Sequence, residues 1–83
     1  MKIQNDINYI EGRGVGKSLV ETIEKTSWGD LHTAYMSKEH TINNFEKEFG
    51  YVSEADSFDR NYSYTYGMRD ALKEAYEKQQ KQA

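Results

Sequence analysis

Apolar residues are sparse along this chain and fall into four groups. The first is Ile3, Ile7 and Ile10 within KIQNDINYI, residues 2–10. Its β-branched content favours a strand, whereas the i, i+4, i+7 spacing favours a helix; we weight the former and expect a strand or extended arm. The run GRGVG at 12–16 reads as a glycine-rich turn that breaks regular structure. Leu19, Val20 and Ile23 then share a helical face. They follow SLVE at 18–21, a capping-box pattern in which the Ser18 hydroxyl accepts from the Glu21 amide and the Glu21 carboxylate reaches back. Gly29 is the expected end of that helix, and Asp30 the cap of a short turn carrying Leu31, Ala34 and Tyr35.

The third group, Ile42, Phe45 and Phe49, has i, i+3, i+7 spacing and predicts an amphipathic helix. Ser37 is its expected cap and Gly50 its terminator. The fourth runs from SEAD at 53–56 to about residue 80 as one long helix. Phe58, Tyr62, Tyr66, Arg69, Leu72 and Tyr76 follow one another down one side of it, and MRDALKEAYEKQQ is rich in strong helix formers. Within it, NYSYTY at 61–66 also alternates with a period of two, as a strand would. Gly67 marks a kink or a point of close packing. The pattern therefore predicts a mainly α protein: one small domain over residues 1–83, with three or four helices. A short N-terminal strand or extended arm, a long C-terminal helix and a frayed tail at 80–83 complete it.

Composition makes the expected core thin. Leucine, isoleucine, valine and phenylalanine together supply 14 of the 83 residues, while seven tyrosines and Trp28 add bulky apolar area. Tyrosines are thus expected to substitute for aliphatic filler, and a domain this poor in aliphatics to lean on a partner or a second copy. With no cysteine, disulfides, thiolate zinc sites and cysteine nucleophiles are excluded. No apolar run approaches the length of a membrane span, and the first ten residues hold no signal-peptide apolar region. We expect a soluble, cytoplasmic protein.

Charge is uneven although the net is only −3. Residues 46–59 carry Glu46, Glu48, Glu54, Asp56 and Asp59 against Lys47, a net of −4, and residues 60–83 carry five bases and three acids, a net of +2. An acidic face suits a basic partner.

Catalytic signals are weak. Gly16-Lys17-Ser18 matches the end of the phosphate-binding loop pattern G-x-x-x-x-G-K-[ST], but Glu11 occupies the position of the first glycine. A carboxylate there would repel phosphates from the cradle of backbone amides. We expect no nucleotide site and take Ser18 as a helix cap. His32 and His40, eight residues apart, do not form a zinc pattern. Glu46 and Glu48 face different sides of a helix, which does not make an acid–base pair. We expect no enzyme, no metal and no cofactor.

FEKEFGYVSEADSFDRNYSYTYGM, residues 45–68, resembles the second helix-turn-helix of AraC-type regulators. The order Gly50, Tyr51, Ser53, Glu54, Ala55, Phe58, Arg60, Tyr62, Gly67, Met68 carries the resemblance, which implies a helical hairpin and DNA binding. The segment departs from that pattern by one extra residue before Phe58, by lacking a proline after Gly-Met, and by its acidity. Phosphate attraction supplies much of the affinity for DNA, and Glu54, Asp56 and Asp59 oppose it. The expected function is therefore a small acidic binding protein of the phage or mobile-element accessory type. It would inhibit a host macromolecule by occupying its binding surface, with carboxylates imitating a row of nucleic-acid phosphates. The expected contact residues are Glu46, Glu48, Tyr51, Glu54, Asp56, Asp59 and Tyr64, the partner a protein, and a homo-oligomer compatible with the composition. The alternatives are a helix-turn-helix DNA-binding regulator and a nucleotide binder through Gly16, Lys17 and Ser18.

Overall fold

In the computed structural model, residues 2–26, 29–50 and 59–82 are described. They form a 3-10 turn, Ile3–Asn5, and three helices: α1, Ile7–Thr26; α2, Leu31–Phe49; and α3, Arg60–Gln82. The mainly α architecture and the long C-terminal helix are as the sequence pattern predicts. The N-terminal region is not. Lys2 is extended, but residues 7–10 belong to α1, and the helix there buries Tyr9 while Ile7 and Ile10 stay largely exposed, so the isoleucine spacing is not the face that packs. Asp6 starts the helix, its Oδ1 accepting from the Asn8 amide at 2.8 Å.

The larger correction concerns the glycines. GRGVG is neither a turn nor a phosphate loop, but the middle of α1. Ser18 is therefore an exposed mid-helix residue and caps nothing; its carbonyl accepts from the Thr22 hydroxyl. Ser37 likewise lies inside α2, because that helix begins six residues earlier. Asp30 caps α2, accepting from the Thr33 amide at 2.8 Å and the Thr33 hydroxyl at 3.0 Å. Gly50 ends α2 at φ 88°, a backbone conformation that side chains disfavour, and its amide bonds the Glu46 carbonyl. The start of the fourth segment at 53–58 lies outside the described residues, and α3 continues through Gln82, beyond the expected end near residue 80.

α3 is the middle element. α1 and α2 each pack along it and barely touch one another. α1 runs parallel to α3: Gly12 meets Tyr64 and Gly16 meets Met68, so both chains advance together. α2 runs antiparallel, since Glu46 meets Tyr62 and Glu39 meets Arg69.

The α1–α3 seam explains the glycines. A Cβ at Gly12 would overlap the Tyr64 carbonyl oxygen, and one at Gly67 the Tyr9 carbonyl oxygen. At Gly16 it would stand 2.8 Å from the Ala71 Cβ and 2.9 Å from the Met68 carbonyl oxygen. Small residues at i, i+4 on α1 (Gly12, Gly16) thus lie along the seam with small residues at i, i+4 on α3 (Gly67, Ala71). This is the small-xxx-small arrangement that lets helix backbones approach closely, with Cα–H groups set against opposing carbonyls. Gly67 is a site of close packing inside a continuous helix.

Ile3, Tyr9, Ile42 and Tyr62 form the buried cluster that joins the elements, with Phe45 and Tyr66 packed against it. The Phe45 and Tyr62 rings lie 4.8 Å apart, and Tyr62 and Tyr66 5.6 Å apart. Tyrosine does serve as core filler here, as the low aliphatic content predicts.

Candidate interaction surface and its surroundings

Of the seven residues expected to contact a partner, Glu46, Glu48, Asp59 and Tyr64 are described; Tyr51, Glu54 and Asp56 lie outside the described residues. The four have different roles. Glu46 is half-buried and accepts from the Tyr62 hydroxyl at 2.7 Å. Asp59 stands just before α3, its Oδ1 accepting from the amides of Asn61 at 2.9 Å and Tyr62 at 3.1 Å. Both carboxylates are engaged in holding α3 to α2 or in starting it. Tyr64 is half-buried, and its carbonyl oxygen faces Gly12 across the helix seam. Glu48 is exposed on the last turn of α2. Next to it is Phe49, 63% exposed, a residue the sequence pattern assigns to the apolar stripe. Its ring rests on Phe45 at 4.8 Å. Phe49 is at the C-terminal end of the stripe, beyond the part of α3 that covers Ile42 and Phe45.

A polar network crosses all three helices. Arg69 on α3 bonds both Glu39 oxygens on α2, at 3.0 and 2.9 Å, and Asp70 at 2.8 Å. Asp70 accepts from the Tyr9 hydroxyl on α1 at 2.6 Å. One helical turn further, Arg13 forms a bidentate pair with Glu74 at 2.9 and 2.8 Å. Arg69 is held 12% exposed, with its guanidinium carbon 4.5 Å from the centre of the Tyr66 ring. Burial works against its charge, and the bonds it donates to Glu39 and Asp70, with their negative charge, more than offset that, so its pKa rises. Burial, then the bond to Asp70, pushes the Tyr9 phenol up. The hydrogen bond from Arg13 holds the Glu74 carboxyl below its usual range. The Arg13–Glu74 pair lies towards the surface, where an ion pair adds little stability, and it links α1 to α3 in the parallel register.

Gly16, Lys17 and Ser18 lie in a continuous helix, where backbone amides point to carbonyls one turn back and form no cradle. His32 lies against the Tyr76 ring, centroids 5.1 Å apart. Among the described residues, no three His, Asp or Glu side chains stand close enough to hold a metal ion. No described helix is long and apolar enough to cross a membrane.

Beyond Gly16 a groove of about 540 Å³ opens between the second half of α1 and the second half of α3. Its floor is Val20, Leu31, Ala71 and Ala75, and exposed Lys17 and Lys78 stand at its rim. Neither lysine forms an ion pair among the described residues. Sequence patterning gives no sign of this groove, because its α1 and α3 lining residues lie more than 40 positions apart in the chain.

Comparison with known protein families, curated proteins and solved structures finds no match to this chain.

Proposed function

We propose that this is a non-catalytic binding protein that acts by occupying a macromolecular partner with the acidic end where α2 leads towards α3. One observation carries the reading: Phe49, 63% exposed, projects beside exposed Glu48 at the start of a stretch whose net charge is −4. An exposed aromatic with charge beside it is the composition of an interface anchor and its rim. The sign of the charge selects a basic partner. The wider type is a phage or mobile-element accessory protein that blocks a host nucleic-acid-binding factor, with its carboxylates in the place of phosphates.

The geometry narrows the contact set. Glu46 and Asp59 are engaged within the fold, so among the described carboxylates of the stretch Glu48 is the exposed one left for a partner, and Glu54 and Asp56 stay in the proposal on their sequence position alone. The helix-turn-helix reading is less well supported, because a recognition helix needs a free face and α3 is packed between α1 and α2.

The test is affinity capture of the tagged chain from bacterial lysate, with and without nuclease, repeated with Glu48→Lys, Glu54→Lys and Asp56→Lys combined. A stoichiometric basic protein retained by the native chain and lost by the reversed one is the expected result. A partner held equally by both would end the acidic-surface proposal. DNA that leaves as salt rises would put the regulator reading in its place.

A further inference from the structure

One face of α1 packs against no described part of the chain. About 100° of rotation per residue places Gly14 opposite Gly12 and Gly16, so it points directly away from α3. Ile7 and Ile10, 68% and 57% exposed, share that outward face. Exposed Ser18 continues it one turn beyond Gly14. Gly14 itself has no use in the monomer. Glycine weakens a helix; the close seam accounts for it at Gly12 and Gly16, but nothing described lies within 4 Å of a Cβ at Gly14. A glycine there leaves a shallow saddle between Ile10 and Ser18, where a second helix backbone can come close.

The order of charges on this face decides what covers it. Within about 60° of Gly14 they alternate along the helix as Glu11, Lys17, Glu21 and Lys25, all exposed. They cancel, so the face does not repel a copy of itself. Glu11 stands three residues before Gly14 and Lys17 three after it, about 4.5 Å of rise each way. A two-fold axis at Gly14 that sets two α1 helices antiparallel therefore brings Glu11 of each copy level with Lys17 of the other. Ile10 comes level with Ser18, and Ile7 with the aliphatic stem of Glu21. A parallel pair would instead set like charges side by side. Neither Glu11 nor Lys17 forms an ion pair among the described residues.

We infer that the chain forms a two-fold dimer through the outward face of α1, with the two helices antiparallel and crossing at Gly14. The contact is isologous and closes on itself, so assembly stops at two copies. It uses neither Phe49 nor Glu48 and leaves that end free for the proposed partner. The two readings therefore fail separately, since this one is tested on purified protein alone.

Sedimentation of the purified full chain from micromolar to millimolar concentration is the experiment. The mass should rise from 9.7 kDa towards twice that value and no further. Gly14→Gln puts a side chain at the crossing point without meeting anything in the monomer. It should abolish the dimer, yet make the helix more stable at dilutions where the chain is monomeric. Glu11→Lys and Lys17→Glu should each weaken the dimer by about tenfold or more, because like charges then face each other. The double variant, and an equal mixture of the two single ones, should recover it. Circular dichroism reports whether each variant is folded. The inference fails if the native chain remains at 9.7 kDa throughout or grows beyond two copies. It fails equally if Gly14→Gln dimerises like the native chain, or if the double variant is no better than either single one.

Discussion

Adding one methyl group at each helical glycine in turn separates seam positions from open ones. At Gly12 and Gly67 the obstacle is an opposing backbone carbonyl, which has no rotamer to move to. At Gly16 the helices would have to part by about 0.6 Å, from 2.8 to the 3.4 Å of ordinary contact. Gly14, in the same helix, has nothing within 4 Å of its Cβ position. Replacing a helical glycine by alanine gains about 0.8–1.0 kcal/mol from backbone propensity alone. Overpacking typically costs about 1–3 kcal/mol. Gly14→Ala should therefore stabilise by nearly the full propensity gain, raising Tm by about 4–8 °C for a domain of this size. Gly12→Ala and Gly67→Ala should each lose a net of about 1–2 kcal/mol, since separation of the backbones also stretches the Tyr9–Asp70 and Arg13–Glu74 bonds. Gly16→Ala should fall between. Urea and thermal unfolding followed by circular dichroism measure all four. If Gly12→Ala or Gly67→Ala proves as stable as Gly14→Ala, the close seam is wrong.

Three further outcomes are expected. Tyr62→Phe removes the hydroxyl bonded to the Glu46 carboxylate from a residue 2% exposed; it should lower stability by about 1–2 kcal/mol, and a neutral result in urea unfolding would show that the bond contributes nothing. The Ser63 hydroxyl is fully buried and has no hydrogen-bond partner among the described residues, so Ser63→Ala should be neutral or stabilising by up to about 1 kcal/mol; a clear loss would mean that the hydroxyl has a structural role. Stability should also fall at both pH extremes. The Asp30 carboxyl, bonded by the Thr33 amide, and the Glu74 carboxyl, bonded by Arg13, lie below their ordinary values of 3.8 and 4.5. Folded pKa values below the unfolded ones give stability that is present above those values and lost as pH falls through the lowered ones. The Tyr9 phenol lies above 10.0, first through burial. Its contribution is present below 10.0 and is lost as pH rises through the raised value. Urea midpoints against pH should show both limbs, and Glu74→Gln should flatten the acid one.

Those parts of the fold that depend on local chemistry were legible in the sequence. Asp30 as a cap, Gly50 as a terminator, and Tyr62 with Tyr66 on one helical face all follow from residues a few places apart. The error at 12–16 has a physical cause. Glycine reads as a breaker because an isolated helix gains nothing from it; its value in α1 appears only when α3 lies alongside. A usable signal was present, since Gly12 and Gly16 repeat the four-residue spacing of Ser63, Gly67 and Ala71. The error at Ser18 followed from it, because a cap needs a helix start that is not there. At the candidate surface, Glu48 could be placed from sequence. The structural roles of Glu46 and Asp59 could not, because each depends on Tyr62 being brought into position.

The central place of α3 has a consequence for biosynthesis. Arg13 finds its partner 61 residues further along, and α1 carries three glycines, each costing about 1 kcal/mol of helix stability. Without α3 it has no surface to rest on, and helices of its length are marginal alone in water. α1 must therefore leave the ribosome unfolded, with Leu19, Val20 and Ile23 uncovered, and wait for α3 to be made. A premature stop within α3 would remove the support on which both earlier helices depend. Truncated products should then be cleared by proteases as unfolded chains rather than persist as smaller folded ones.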